Sequence, residues 1–120
     1  NAPVQLATLT TSAVSSLTNI SATSGGNITD DGGANITTRG VCYSINTNPT
    51  TADNITNDGY CTGSFTSNLS GLTASTTYYV RAYATNSAGT AYGNEQIFTT
   101  TNNLFAIGQS YQGGIGILFF

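Results

Sequence analysis

The groups able to do chemistry in this chain are few. There are two cysteines, five carboxylates, two guanidiniums and seven tyrosines in 120 residues, and no histidine. Without histidine the usual general base and metal ligand are missing. No hydroxyl or thiol stands at a spacing that suggests a nucleophile with its base. The acids are Asp30, Asp31, Asp53, Asp58 and Glu95, most of them in turn-like stretches where Asp and Asn shape the backbone. Asp53, Asn57 and Asp58 are the best set for calcium, yet their spacing matches no EF-hand loop. Gly113-Gly114-Ile115-Gly116 is not a phosphate loop, because no helix can follow it. The expectation is a non-catalytic protein with no cofactor and no calcium, covalent glycans aside.

Three other constellations carry candidate chemistry. Cys42 and Cys61 are an even pair in a small chain, which favours a disulfide. It would close a loop of about 20 residues and stabilise by roughly 3 kcal/mol on chain-entropy reasoning; the alternative is two buried free thiols. Asn-x-Ser/Thr sequons fall at Asn19, Asn27, Asn35, Asn54 and Asn68. They are candidate glycosylation sites, or simply Asn and Thr serving as turn and strand-surface residues. Tyr79, Tyr83 and Tyr92 would form an exposed aromatic strip for carbohydrate, or pack across strands.

Composition narrows the setting. Only 6% of residues are charged, with a net charge of -3, against about 25% in an ordinary soluble domain. The cations are Arg39 and Arg81 alone, so nothing clusters to neutralise phosphates, and no nucleic-acid partner is expected. No apolar run is long enough to span a bilayer as a helix. A bland Thr/Ser/Asn/Gly surface suits an extracellular protein kept soluble by something other than charge. Opening on Asn rather than Met suits a mature secreted product and equally a fragment.

The elements that would hold these groups are strands. Period-two segments separated by Gly, Asn, Asp and Ser clusters run throughout, and no helical period is sustained. Strands are expected at 4–9, at 20–29 with a bulge at Gly25-Gly26, at 37–44, at 61–68, at 76–85 and at 90–100. Asp30 to Gly33 and Asn86 to Gly89 make turns. Residues 46–57 form a polar loop with a short edge strand. In the segment 76–85, Tyr78, Val80, Ala82 and Ala84 share one face; Tyr79, Arg81, Tyr83 and Thr85 share the other. About seven strands thus close an all-β antiparallel sandwich within residues 1–100.

The stretch LTASTTYYVRAYATNSAGTAYG resembles the E–F corner and F–G hairpin of a fibronectin type III (Ig-like) domain, with Tyr78 in the place of the tyrosine corner. The wider run, residues 4–100, resembles the variant carried in tandem by secreted surface proteins of Bacteroidetes-type bacteria. The resemblance implies a structural or binding scaffold, not a ligand. The chain has no Trp for strand B and no Arg-Gly-Asp, so integrin-type adhesion is not implied.

Residues 101–120 are a linker and one more strand. Phe105, Ile107, Tyr111, Ile115, Ile117 and Phe119 alternate with Ala106, Gly108, Ser110, Gly114 and Gly116, with Leu104, Leu118 and Phe120 as exceptions, giving one large apolar face and one small face. Four or five such side chains left in water forgo roughly 1.5–3 kcal/mol each. Three readings compete. The strand docks into a neighbouring copy, as pilus donor strands do; it adds to its own domain; or it opens a following domain. The first leads. The resulting expectation is a secreted, pilus-like homopolymer; the alternative is a carbohydrate- or protein-binding module of a larger surface protein.

Overall fold

A computed structural model describes residues 3–102. Eight strands form two antiparallel sheets, and no helix occurs among the described residues. The first sheet has β1 (Thr8–Thr11), β2 (Ala22–Asp30) and β5 (Gly63–Leu69) in the order β1-β2-β5. The second has β3 (Thr38–Ser44), β4 (Asn54–Ile55), β6 (Thr77–Asn86), β7 (Gly89–Tyr92) and β8 (Gln96–Thr99). Its order is β4-β3-β6-β7, and β8 also pairs with β6.

The core forms where the period-two residues of the two sheets face each other. Tyr78, Val80, Ala82 and Ala84 of β6 point inward, as their alternation predicts, and meet Val41, Ile28, Phe65, Leu69 and Phe98. Burying each large side chain of this kind is worth about 1.5–3 kcal/mol. Gly25 and Gly26 do not make the expected bulge: the β2–β5 register runs unbroken from Ala22↔Leu69 to Ile28↔Gly63. Gly26 is needed for close approach instead, since a Cβ there would lie 2.6 Å from the Ala82 Cβ of the opposite sheet.

The first strand starts later than expected. Residues 4–6 do not join the ladder; Gln5 N–H donates to Gly32 O (2.8 Å) in the turn after β2, and pairing begins at Thr8↔Asp30. The expected 90–100 strand is interrupted. Tyr83↔Tyr92 ends one ladder and Val80↔Gln96 begins the next. Arg81 and Ala82 therefore face Gly93, Asn94 and Glu95, which is a β-bulge. The bulge leaves Ala82 N–H without a ladder partner, and Thr11 Oγ1 of β1 accepts it (2.8 Å). Thr11 N–H in turn donates to Asn94 Oδ1 (2.9 Å). The two sheets are thus tied at this seam.

Tyr78 makes the expected corner. Its hydroxyl accepts from Thr73 N–H (2.9 Å), and its ring stacks on Phe98 with centroids 5.6 Å apart. Replacing Tyr78 by Phe keeps the ring and deletes the acceptor. Tyr78→Phe should lower unfolding stability by about 1 kcal/mol, read as a lower urea midpoint at unchanged slope. An unchanged midpoint would mean the corner bond contributes nothing.

Candidate functional site

Strand alternation sends Cys42 and Ser44 of β3, and Tyr79, Arg81, Tyr83 and Thr85 of β6, away from the core. The segment 45–62 folds back over this outward face. Arg81 holds it: Nε and Nη2 donate to Pro49 O (3.0 and 2.7 Å), and the guanidinium lies 4.2 Å from the Tyr92 ring centroid. Tyr83 OH donates to Thr56 O (2.5 Å). Tyr92 OH accepts from Thr51 N–H (3.2 Å). Residues 56–59 then run along β3: Thr56 N–H donates to Val41 O (2.9 Å) and Arg39 N–H to Gly59 O (3.0 Å). Gly40 is obligatory under this strap, because a Cβ there would lie 2.2 Å from Thr56 O.

The expected Cys42–Cys61 disulfide is not formed; both are free thiols, Cys42 buried and Cys61 exposed. The reason is the alternation of β3. Cys42 sits on the outward face, with Sγ donating to Pro49 O (3.3 Å) and Arg81 O (3.5 Å). Arg39, three residues earlier, is on the opposite face with its guanidinium over Phe65 (4.9 Å), and it holds the Cys61 carbonyl through Nη1 (2.8 Å). The other possibility, two buried thiols, holds only for Cys42. Burial pushes the Cys42 thiol up to about 11, with the Arg81 charge acting in the other direction. It is therefore neutral at physiological pH and a poor nucleophile.

The three tyrosines do not make an open strip. Tyr83 is buried beneath the segment 45–62, and burial, with the Asp58 charge second, raises its phenol. Tyr83 and Tyr92 are cross-strand neighbours, and Arg81 covers Tyr92. Tyr79 is half-buried and opposite Ile97, which is 60% exposed. The acids shape loops. Asp30 and Asp31 accept from Gly32 and Gly33 N–H (2.9 Å each), Asp53 from Thr50 N–H (2.8 Å), and Glu95 from Asn48 N–H (2.5 Å). Asp58 accepts from Thr56 Oγ1 (3.0 Å) and from Ser67 Oγ. Asn57 accepts from Gly59 N–H (3.2 Å). Among the described residues, no three His, Cys, Asp or Glu converge as metal ligands.

Of the sequons, Asn35, Asn54 and Asn68 are exposed, while Asn19 and Asn27 are half-buried. Asn27 and Asn68 share the outward face of the three-stranded sheet with Thr10, Thr23 and Thr66. That face is built of hydroxyls and amides.

Sheet edges matter for any added strand. The side of β1 away from β2 closes on the bulge through Thr11, and a Cβ on Gly93 would lie 2.7 Å from Thr11 Oγ1. A groove beside the first strand is thereby filled. The edge near the 46–57 loop is β4, only two residues long. Among the described residues, β5 pairs on one side alone, with β2. The sequence alone suggests two acceptor edges, beside the first strand and near the 46–57 loop, and not β5, although the uncharged, proline-free sequence of β5 is a signal. The expected linker and tail, with Phe105, Ile107, Tyr111, Ile115, Ile117 and Phe119, lie outside the described residues, apart from Thr101 and Asn102.

The chain matches no family model and no curated protein. Solved structures resemble it at the level of fold. The sensor domain of the anti-sigma factor RsgI4 in Pseudobacteroides cellulosolvens superposes with TM-score 0.59 at 18% identity, over 83% of this chain and 99% of that one. Domains A168-A170 from titin give 0.54 at 22% identity, over 75% of this chain. This chain spans 30% of the titin chain's length. A fibronectin type III domain from the human KIAA0970 protein gives 0.52 at 10% identity, over 79% of this chain and 74% of that one. The fold is an Ig-like, fibronectin type III-like β-sandwich.

The two thiols should separate chemically. At about pH 8 a colorimetric thiol reagent should label one cysteine in the native protein and the second only after unfolding. Cys61→Ser should abolish the native signal. No titratable thiol in the denatured, unreduced protein would restore the disulfide.

Proposed function

We propose that this chain is a non-catalytic structural subunit of an extracellular filament or fibril, joined head to tail when its C-terminal strand enters a neighbouring copy. The observation that carries the reading is a mismatch. With β7 and β8 counted as one bulged strand, residues 3–102 already supply the seven strands of the sandwich. Yet the sequence continues with the alternating apolar run 104–120. A strand that alternates large and small residues is suited to strand addition. Repeated from copy to copy, such a contact is heterologous and open-ended.

Secretion and glycosylation belong to the same reading. A surface with 6% charge gains solubility from glycans, and the hydroxyl and amide face bearing Asn27 and Asn68 offers attachment points. No cofactor is part of the proposal. A second reading is a carbohydrate- or protein-binding module of a larger secreted surface protein. Its support is the exposed Ile97 beside Tyr79 on the outward face of β6 and β8.

The readings differ in assembly. The purified chain should appear as fibres in negative stain, and removal of residues 104–120 should leave folded or metastable monomers. Full-length monomers at high concentration would sink the filament, and saturable glycan binding by those monomers would support the module. Intact mass above the 12.3 kDa of the bare chain would establish covalent glycans.

A further inference from the structure

We infer that the free edge of β5, Gly63–Leu69, is the acceptor for residues 104–120 of a second copy. The inference rests on the filament reading and specifies its contact. Four features of the edges lead to it. The far side of β1 is closed by Thr11 against Ala82 and Asn94. β4 offers two residues and β8 four. β5 offers seven, GSFTSNL, in unbroken register with β2. It has neither charge, proline nor bulge, which are the devices that normally guard an edge against strand addition.

The occupant fits by pattern and by charge. A strand laid beside β5 continues its two rows of side chains. One row extends the outward Ser64, Thr66 and Asn68; the other extends Phe65, Ser67 and Leu69 toward the seam between the sheets, where Thr56 and Asp58 already meet Ser67 midway along the strand. The small residues of 104–120 belong in the outward row, clear of a glycan on Asn68. The large ones belong in the seam row. The segment leading from β4 into β5 bears the exposed Tyr60 (70%), which such a row would help to cover. At about 3.3 Å per residue, seven residues span roughly 23 Å, well within the reach of the tail. Neither β5 nor 104–120 contains a charged residue, and the carboxylate near β5, Asp58, is engaged by Thr56 and Ser67. The contact is therefore expected to be insensitive to salt.

The test is hydrogen exchange on polymers, with the full-length variant Ile115→Lys/Ile117→Lys as the unpolymerised reference. Amides of 63–69 that face away from β2 should exchange at least about tenfold more slowly in the polymer. Polymers that protect β4 or β8 instead would overturn the β5 assignment and leave the filament standing. Protection of β5 in the wild-type chain diluted to monomers would place the tail on its own domain and overturn the second copy. Absence of polymers at any concentration would end both the filament reading and this inference. Persistence of the polymer and of its β5 protection into molar salt, with salt-dependent loss as the contrary result, checks the uncharged character of the contact.

Discussion

Both cations of this chain are bound to backbone carbonyls of one segment. Arg81 takes the carbonyl of Pro49, and Arg39 takes those of Asp58, Cys61 and Thr62. A guanidinium has five donors in a fixed fork, so each arginine can gather carbonyls that a loop would otherwise leave to water. The strap they hold converts the outward face of β3 and β6 into a second buried layer. That is why β6 is covered on both faces, and why Cys42, Pro49 and Tyr83 are buried although none faces the core.

The asymmetry follows from that strap. One sheet has its outward face covered by the segment 45–62. The other sheet keeps an open face of Thr, Ser and Asn and ends in β5, whose edge no described strand covers. A closed sandwich with one unguarded edge is a different object from a sandwich lacking a strand. Strand addition to it would enlarge a finished sheet rather than complete a core, so the described domain would need no partner for its own seven strands.

What was legible in the sequence was local or alternating. The inward row Tyr78, Val80, Ala82, Ala84 and the Tyr78 corner follow from period two and from a bond to Thr73, five residues away. What was not legible depends on partners far along the chain. The bulge at Gly93 to Glu95 exists because Thr11, 71 residues from Ala82, takes the freed N–H. The cysteine count could not say on which face of β3 the chain around Cys61 would be held. The tyrosine strip failed for a related reason: alternation places Tyr83 on the outward face, but only the fold shows that the loop lies over it.

A nearly uncharged protein must avoid indiscriminate association by other means than charge. Charge is the usual device for choosing among partners and for guarding edges, and this chain has almost none to use. Specificity must then come from shape and period. A one-residue slip of a period-two strand moves its whole apolar row to the wrong face. In the proposed contact that would put Ile115, Ile117 and Phe119 on the polar side of the sheet and Gly114 and Gly116 in the seam, although Leu118 and Phe120 would enter it too. For two strands without charges, such a penalty would fix the register as salt bridges do elsewhere, and at any ionic strength.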